Sequence, residues 1–213
     1  MPIITPKIIL YHIPKCGGIY AKEALRRGLY HPETDYGGRP KISGVKNDFG
    51  LYREHATPDG THEQEKRGRL SICFVRHPIT WYSSFWSFRI KTKSYSAIFP
   101  LDDLVDDDYE TFVGNVLREF PNGFVTQLFQ CYVGADLSKV NFIGKQENLT
   151  DDLVEALVLS GQEFSEKRLR QTKWHNMSGS SKAYKELTVL NEDTKNKVLK
   201  AEEWVINTFY SDV

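Results

Sequence analysis

The sequence predicts a three-layer α/β fold: a mainly parallel central sheet with helices on both faces. Three observations predict it. Residues 7–13 form a short apolar run rich in β-branched side chains, the pattern of a buried strand. A glycine-rich turn and a helical stretch follow it directly. Two further apolar runs, at residues 70–75 and 140–144, alternate with helical segments.

Taken in order, residues 14–18 break the first strand. Residues 19–29 are expected to be helical, with Tyr20, Ala24 and Leu25 among the positions on one side. Residues 31–69 are polar and rich in Gly, Pro and Asp. They are expected to be mostly loop with one or two short strands, the better marked of them ending near His55. Residues 70–75 make the second strand. Arg76, His77 and Pro78 end it, and Pro78 suits the first turn of an aromatic helix from Ile79 to Arg89. Residues 102–110 read as a loop and the acidic first turn of a helix reaching about Phe120, an arrangement that suits the helix dipole. The EF-hand spacing and its glycine are missing there. Residues 124–133 are expected to be a helix and residues 140–144 the third strand. Thr150 is expected to cap the next helix, and one last helix runs from about Asn191 to Tyr210. With no internal repeat, low-complexity tract or linker, residues 1–213 read as one domain.

Composition removes several function classes. Hydrophobic residues at 40% and charged residues at 26% fit a chain that buries a core, which excludes a disordered tail or a fibrous protein. No apolar run approaches the roughly 20 residues of a membrane helix. The start lacks the order of a signal peptide, so a cytoplasmic protein without membrane association is expected. Cys16, Cys73 and Cys131 lie far apart and form no CxxC pair. His55 and His62 have no cysteine nearby and no HExxH spacing, so no metal site is expected.

The net charge is zero but unevenly spread. Residues 1–93 carry 16 Lys and Arg against 8 Asp and Glu, whereas residues 94–213 carry 12 against 20. The first half is thus suited to an anionic ligand, and the neutral total argues against a nucleic-acid partner.

The first chemical motif lies in that half. His12-Ile-Pro-Lys15-Cys16-Gly17-Gly18-Ile19-Tyr20 joins a strand to a helix. Adjacent glycines let the backbone approach a ligand, the helix start favours an anion, and Lys15 adds a full charge. A nucleotide phosphate is the natural guest. The turn is not GxxxxGK[ST]: the lysine precedes the glycines, and no Ser or Thr follows it to hold Mg²⁺. The second motif places Arg76 at a strand end and Ser84 eight residues on, about two helical turns into the next element. A guanidinium fork and a hydroxyl can share one phosphate.

With both motifs present, the chain resembles the sulfotransferases that use 3′-phosphoadenosine 5′-phosphosulfate (PAPS). Pro14-Lys15-Cys16-Gly17-Gly18 resembles the family's 5′-phosphosulfate turn. Arg76, Pro78 and Ser84 resemble its 3′-phosphate segment. The form of the first motif is closest to carbohydrate sulfotransferases and their bacterial relatives. Weaker likenesses are the stretch containing His55-Ala56, the Glu147-Asn148-Leu149 segment and a late loop at His175-Asn176-Met177-Ser178.

The resemblance implies a P-loop-like sulfotransferase fold with the nucleotide at the carboxyl ends of the strands. It implies PAPS as donor, no required metal, and in-line transfer of a sulfuryl group to a hydroxyl of a carbohydrate or other small-molecule acceptor. Lys15 would stabilise the leaving oxygen, His55 would act as general base, and Glu147 is the rival base. Lys15, Cys16, Gly17, Gly18, Ile19 and Tyr20 would surround the 5′-phosphate. Arg76 and Ser84 would hold the 3′-phosphate, and Asn176 and Ser178 would close over the cofactor. One departure stands out: relatives follow the glycines with Thr-Ser, and this chain has Ile19-Tyr20. Two other readings stay open, a P-loop-like nucleotide kinase or phosphotransferase and a non-catalytic nucleotide-binding protein.

Overall fold

A computed structural model describes residues 2–29, 55–93, 100–173 and 182–211. The fold is α/β, with a four-stranded, mostly parallel sheet. Its strands are β1 (Ile3–Ile4), β2 (Ile8–Tyr11), β3 (Leu70–Val75) and β4 (Phe142–Lys145), side by side in that order. β2, β3 and β4 run parallel, and the register pairs Tyr11 with Cys73 and Val75 with Lys145. β1, absent from the sequence expectation, adds an antiparallel edge by pairing Ile3 with Leu10. It is two residues long, too short for the alternation that marks a strand. All four residues of β2 are buried, which explains its continuous apolar run: a central parallel strand is covered on both faces.

The helices are α1 (Gly18–Gly28), α2 (Glu63–Lys66), α3 (Pro78–Thr92), α4 (Tyr109–Glu119) and α5 (Phe124–Val133), followed by α6 (Leu149–Ser160) and α7 (Glu166–Arg170). Last come α8 (Lys182–Leu187), α9 (Glu192–Ala201) and α10 (Glu203–Phe209). The chain divides into two compact units. One comprises Met1–Val75 and Tyr132–His175, the other Arg76–Cys131 and Asn176–Val213.

The first unit holds the sheet. α1 packs against α7 and α6, and α6 lies along β3 and β4. Ala21, Ala24 and Leu25 are buried along α1, an apolar stripe at the period of a helix. Thr150 does not cap α6. The cap position is Asn148, without a side-chain bond, and Thr150 stands in the first turn with its hydroxyl 2.7 Å from that of Tyr20. Glu63 to Lys66 form a helical turn, and His55, the first described residue after position 54, has 3-10 conformation. The loop and strands expected at 31–54 lie outside the described residues.

The second unit is built on α3. Trp81, Tyr82, Phe85 and Trp86 are all buried, so the aromatic set is core. Trp81 stacks on Phe85 at 5.5 Å with the rings 6° from parallel, as residues four apart on a helix face can. α3 runs one turn beyond Arg89, whose buried side chain pairs with Asp102 at 2.6 Å. The acidic stretch divides into a 3-10 turn at Asp102–Leu104 and a cap at Asp108. The Asp108 carboxylate accepts the Thr111 N–H at 2.8 Å, and that bond holds its pKa below the usual range.

The single last helix expected from Asn191 to Tyr210 is broken at Glu202. This buried carboxylate accepts the N–H groups of Val125 and Thr126 at 3.0 and 2.7 Å, and the Thr126 and Tyr82 hydroxyls at 2.8 and 2.5 Å. It serves as the cap that α5 lacks in its own sequence. The distortion between α9 and α10 accompanies that contact.

Candidate functional site

The carboxyl end of β2 gathers most of the expected site. After Tyr11 the chain passes His12 and enters a tight turn at Pro14–Gly17. There Lys15 adopts φ 64° and Gly17 φ 82°, both left-handed. For lysine that conformation costs about 1–2 kcal/mol, so the turn keeps a strained residue at the one position that carries charge. Cys16 donates its N–H to the Ile13 carbonyl at 3.3 Å, closing the turn. Gly17 then caps α1, whose first residue is Gly18. Helix geometry leaves first-turn N–H groups without an acceptor inside the helix, and here they follow directly on Lys15.

Both glycines are needed for packing. A Cβ on Gly17 would run into Leu149 Cδ1 and lie 3.4 Å from Gln146 Cγ. The start of α6 is therefore pressed against the turn. A Cβ on Gly18 would overlap the imidazole of His12. The sequence suggested glycines for ligand approach; the structure adds neighbours that only glycine accommodates.

His12 also lies beside His55. The ring centres are 4.7 Å apart, and His55 Nδ1 is 2.9 Å from the His12 carbonyl. A carbonyl can only accept, so Nδ1 carries the proton and donates. In the neutral ring Nε2 is then the basic nitrogen. The His55 carbonyl accepts the hydroxyl of buried Tyr132 at 2.7 Å. His12 itself stays neutral over a wide range. Desolvation first, then His55 and the nearby Lys15 and Lys22, push its pKa down to about 3.

The side chains after the glycines do not both face solvent. Ile19 is 56% exposed, whereas Tyr20 is 4% exposed and meets Thr150. Cys16 is buried. Glu147 is exposed in a 3-10 turn (Gln146–Asn148) after β4, next in sequence to the Gln146 that lies against Gly17. The backbone N–H of Lys145 donates to Asp152 at 2.5 Å, which tightens the link from β4 to α6. Burial raises the Asp152 pKa.

The second motif opens the other unit. Arg76 follows directly on Val75, the last residue of β3, and His77 caps α3. Arg76 donates from Nε to the Thr80 hydroxyl at 3.0 Å, and Thr80 donates onward to the His77 carbonyl at 3.0 Å. The chain of bonds sets the plane of the guanidinium. Ser84, partly buried, lies one turn beyond Thr80 and so shares its helix edge. Thr80 had no place in the sequence reading; its signal was a hydroxyl four residues from both Arg76 and Ser84. The His77 ring packs edge-on to Tyr210 at 5.0 Å. Asn176 and Ser178 lie outside the described residues.

Among the described residues no group of three or more His, Cys, Asp or Glu side chains is placed to hold a metal ion, and no helix is long and apolar enough to cross a membrane. The fold and the turn define an α/β protein with a lysine-bearing double-glycine turn and a histidine pair at one strand end. Comparison with protein-family models, curated proteins and solved structures finds no match.

Proposed function

We propose that this chain is a PAPS-dependent sulfotransferase with a P-loop-like fold, acting on a hydroxyl of a carbohydrate or other small acceptor. The observation that supports it most is the setting of His55. Its Nδ1 donates to a carbonyl, which makes Nε2 the basic nitrogen, the one that would take the acceptor's proton in this reading. His12 beside it packs on the glycine turn that bears Lys15.

In this reading the turn and the start of α1 hold the 5′-phosphosulfate. Lys15 neutralises charge on the bridging oxygen as the S–O bond breaks. The acceptor oxygen forms the new S–O bond, its proton passes to His55 Nε2, and 3′-phosphoadenosine 5′-phosphate leaves. Arg76 and Ser84, by motif, take the 3′-phosphate, and Thr80 orients the arginine. Glu147 is the alternative base.

A second reading, nucleotide binding without turnover, draws on Tyr20. Its hydroxyl is engaged with Thr150, at a position where the resembled family uses a phosphate donor. Calorimetric titration with 3′-phosphoadenosine 5′-phosphate, beside ADP and ATP–Mg²⁺, tests both readings. Micromolar binding of the first ligand alone is expected, followed by conversion of PAPS in an acceptor screen. Binding without conversion would favour the second reading, and preference for ATP–Mg²⁺ would defeat the sulfotransferase reading.

A further inference from the structure

Resting on the reading of His55 as general base, we propose that Tyr132 is a positioning residue for it. Tyr132 and the His12 main chain would together hold the imidazole as its Nδ1–H tautomer, with Nε2 turned to the reaction.

Two bonds act on one residue from opposite ends. At the backbone, the Tyr132 hydroxyl donates to the His55 carbonyl at 2.7 Å. At the side chain, Nδ1–H donates to the His12 carbonyl at 2.9 Å. Tyr132 is fully buried near the end of α5, so its hydroxyl is delivered from a rigid element. The His12 carbonyl is equally fixed. It follows β2 directly, and the His12 ring packs against Gly18 and beside the His55 ring. The expected result is a defined tautomer at His55. Free histidine favours the opposite tautomer, with the proton on Nε2, so the Nδ1–H form is a signature of the arrangement. A carboxylate or carbonyl orienting the far nitrogen of a catalytic histidine is a general device. Here the carbonyl comes from a second histidine, and the tyrosine fixes the base's own backbone.

Long-range ¹H–¹⁵N correlation spectra of the ¹⁵N-histidine-labelled full chain test this at neutral pH without substrate, with His55→Gln assigning the signal. Wild-type His55 should show the Nδ1–H pattern. Tyr132→Phe should move it toward a mixture of tautomers and leave 3′-phosphoadenosine 5′-phosphate affinity within about twofold. PAPS turnover should fall about threefold to tenfold at unchanged KM, in proportion to the competent fraction lost. An Nε2–H pattern in the wild type, or no change of tautomer in a folded Tyr132→Phe protein, would overturn the proposal. The wild-type spectrum decides the tautomer even where the variant does not fold. If the tautomer behaves as stated but PAPS is never converted, the positioning stands and the sulfotransferase reading fails.

Discussion

Replacing Gly18 by alanine sets helix propensity against one steric contact. Gly18 is the first residue of α1 and does not use a left-handed φ, so alanine fits its backbone. On propensity alone the change should stabilise by about 0.5–1 kcal/mol. The new Cβ, however, falls inside the contact radii of Cγ, Cδ2 and Nε2 of His12. That ring has little room to move, being largely desolvated, with the His55 ring 4.7 Å away. Forcing an extra carbon into such packing costs about 1–3 kcal/mol. The steric cost should win, for a net loss of about 0.5–2 kcal/mol.

His12→Ala removes the ring and with it the clash. In that background Gly18→Ala should be neutral or stabilising by about 0.5 kcal/mol. The change of sign is a coupling of about 1–2 kcal/mol, well above the scatter for independent sites. Urea unfolding of the wild type, both single variants and the double variant reads it directly, provided the m-values stay constant. Equal cost in both backgrounds would refute the reasoning, as would a stabilised single Gly18→Ala protein. If nucleotide affinity falls in the single variant and returns in the double, the loss came through the displaced imidazole and not through a blocked phosphate.

Other outcomes follow from the same contacts. Arg76→Ala should weaken 3′-phosphoadenosine 5′-phosphate about tenfold, or about 1.4 kcal/mol, with ADP nearly unchanged in the same titration. Thr80→Val, which removes the acceptor for Arg76 Nε, should show a smaller loss of the same selectivity. Glu202→Gln should destabilise by about 2–4 kcal/mol in denaturant unfolding. An amide offers one acceptor oxygen where the carboxylate uses both to receive four donors. His12 stays neutral in the folded chain down to about pH 3 but takes up a proton near pH 6.5 when unfolded. The unfolded state therefore binds more protons in that window, and stability should fall as pH drops, by up to about 1.4 kcal/mol per pH unit. The His12→Asn protein should lose that share of the slope between pH 6 and pH 4.

The parallel strands were legible because their signal is local. β3 is an unbroken apolar run with a Pro-marked stop, and it forms over the residues expected, Leu70–Val75. Helix starts with an Asp or Asn side chain at the cap, such as Asp108 and Asn191, were legible for the same reason. What stayed hidden depends on partners far along the chain. Thr150 looks like a cap, yet its hydroxyl meets Tyr20, 130 residues earlier. The break at Glu202 is linked to donors on α5, 76 and 77 residues away. Within the site, Lys15, the glycines and His55 could be named from motif and residue type. That His12 lies against Gly18 and beside His55, and that Tyr132 reaches the same backbone, could not.

The Ile19-Tyr20 departure gains a physical meaning from these contacts. A hydroxyl lost from a charged phosphate costs about 1–3 kcal/mol of binding, and here Tyr20 spends its hydroxyl inside the unit. It ties the start of α1 to the start of α6, while Leu149 presses on Gly17 and His12 on Gly18. The turn is thus held from three sides by the protein's own packing. Donors fixed in advance lose little freedom when an anion arrives, so a preorganised main chain recovers part of what the missing hydroxyls give up. Under the sulfotransferase reading the exchange would move recognition from hydroxyls onto backbone N–H groups and Lys15. Under that reading such a site would distinguish anions by charge and fit more than by hydroxyl pattern, and Arg76, by motif the residue for the second phosphate, would carry the discrimination between one nucleotide and another.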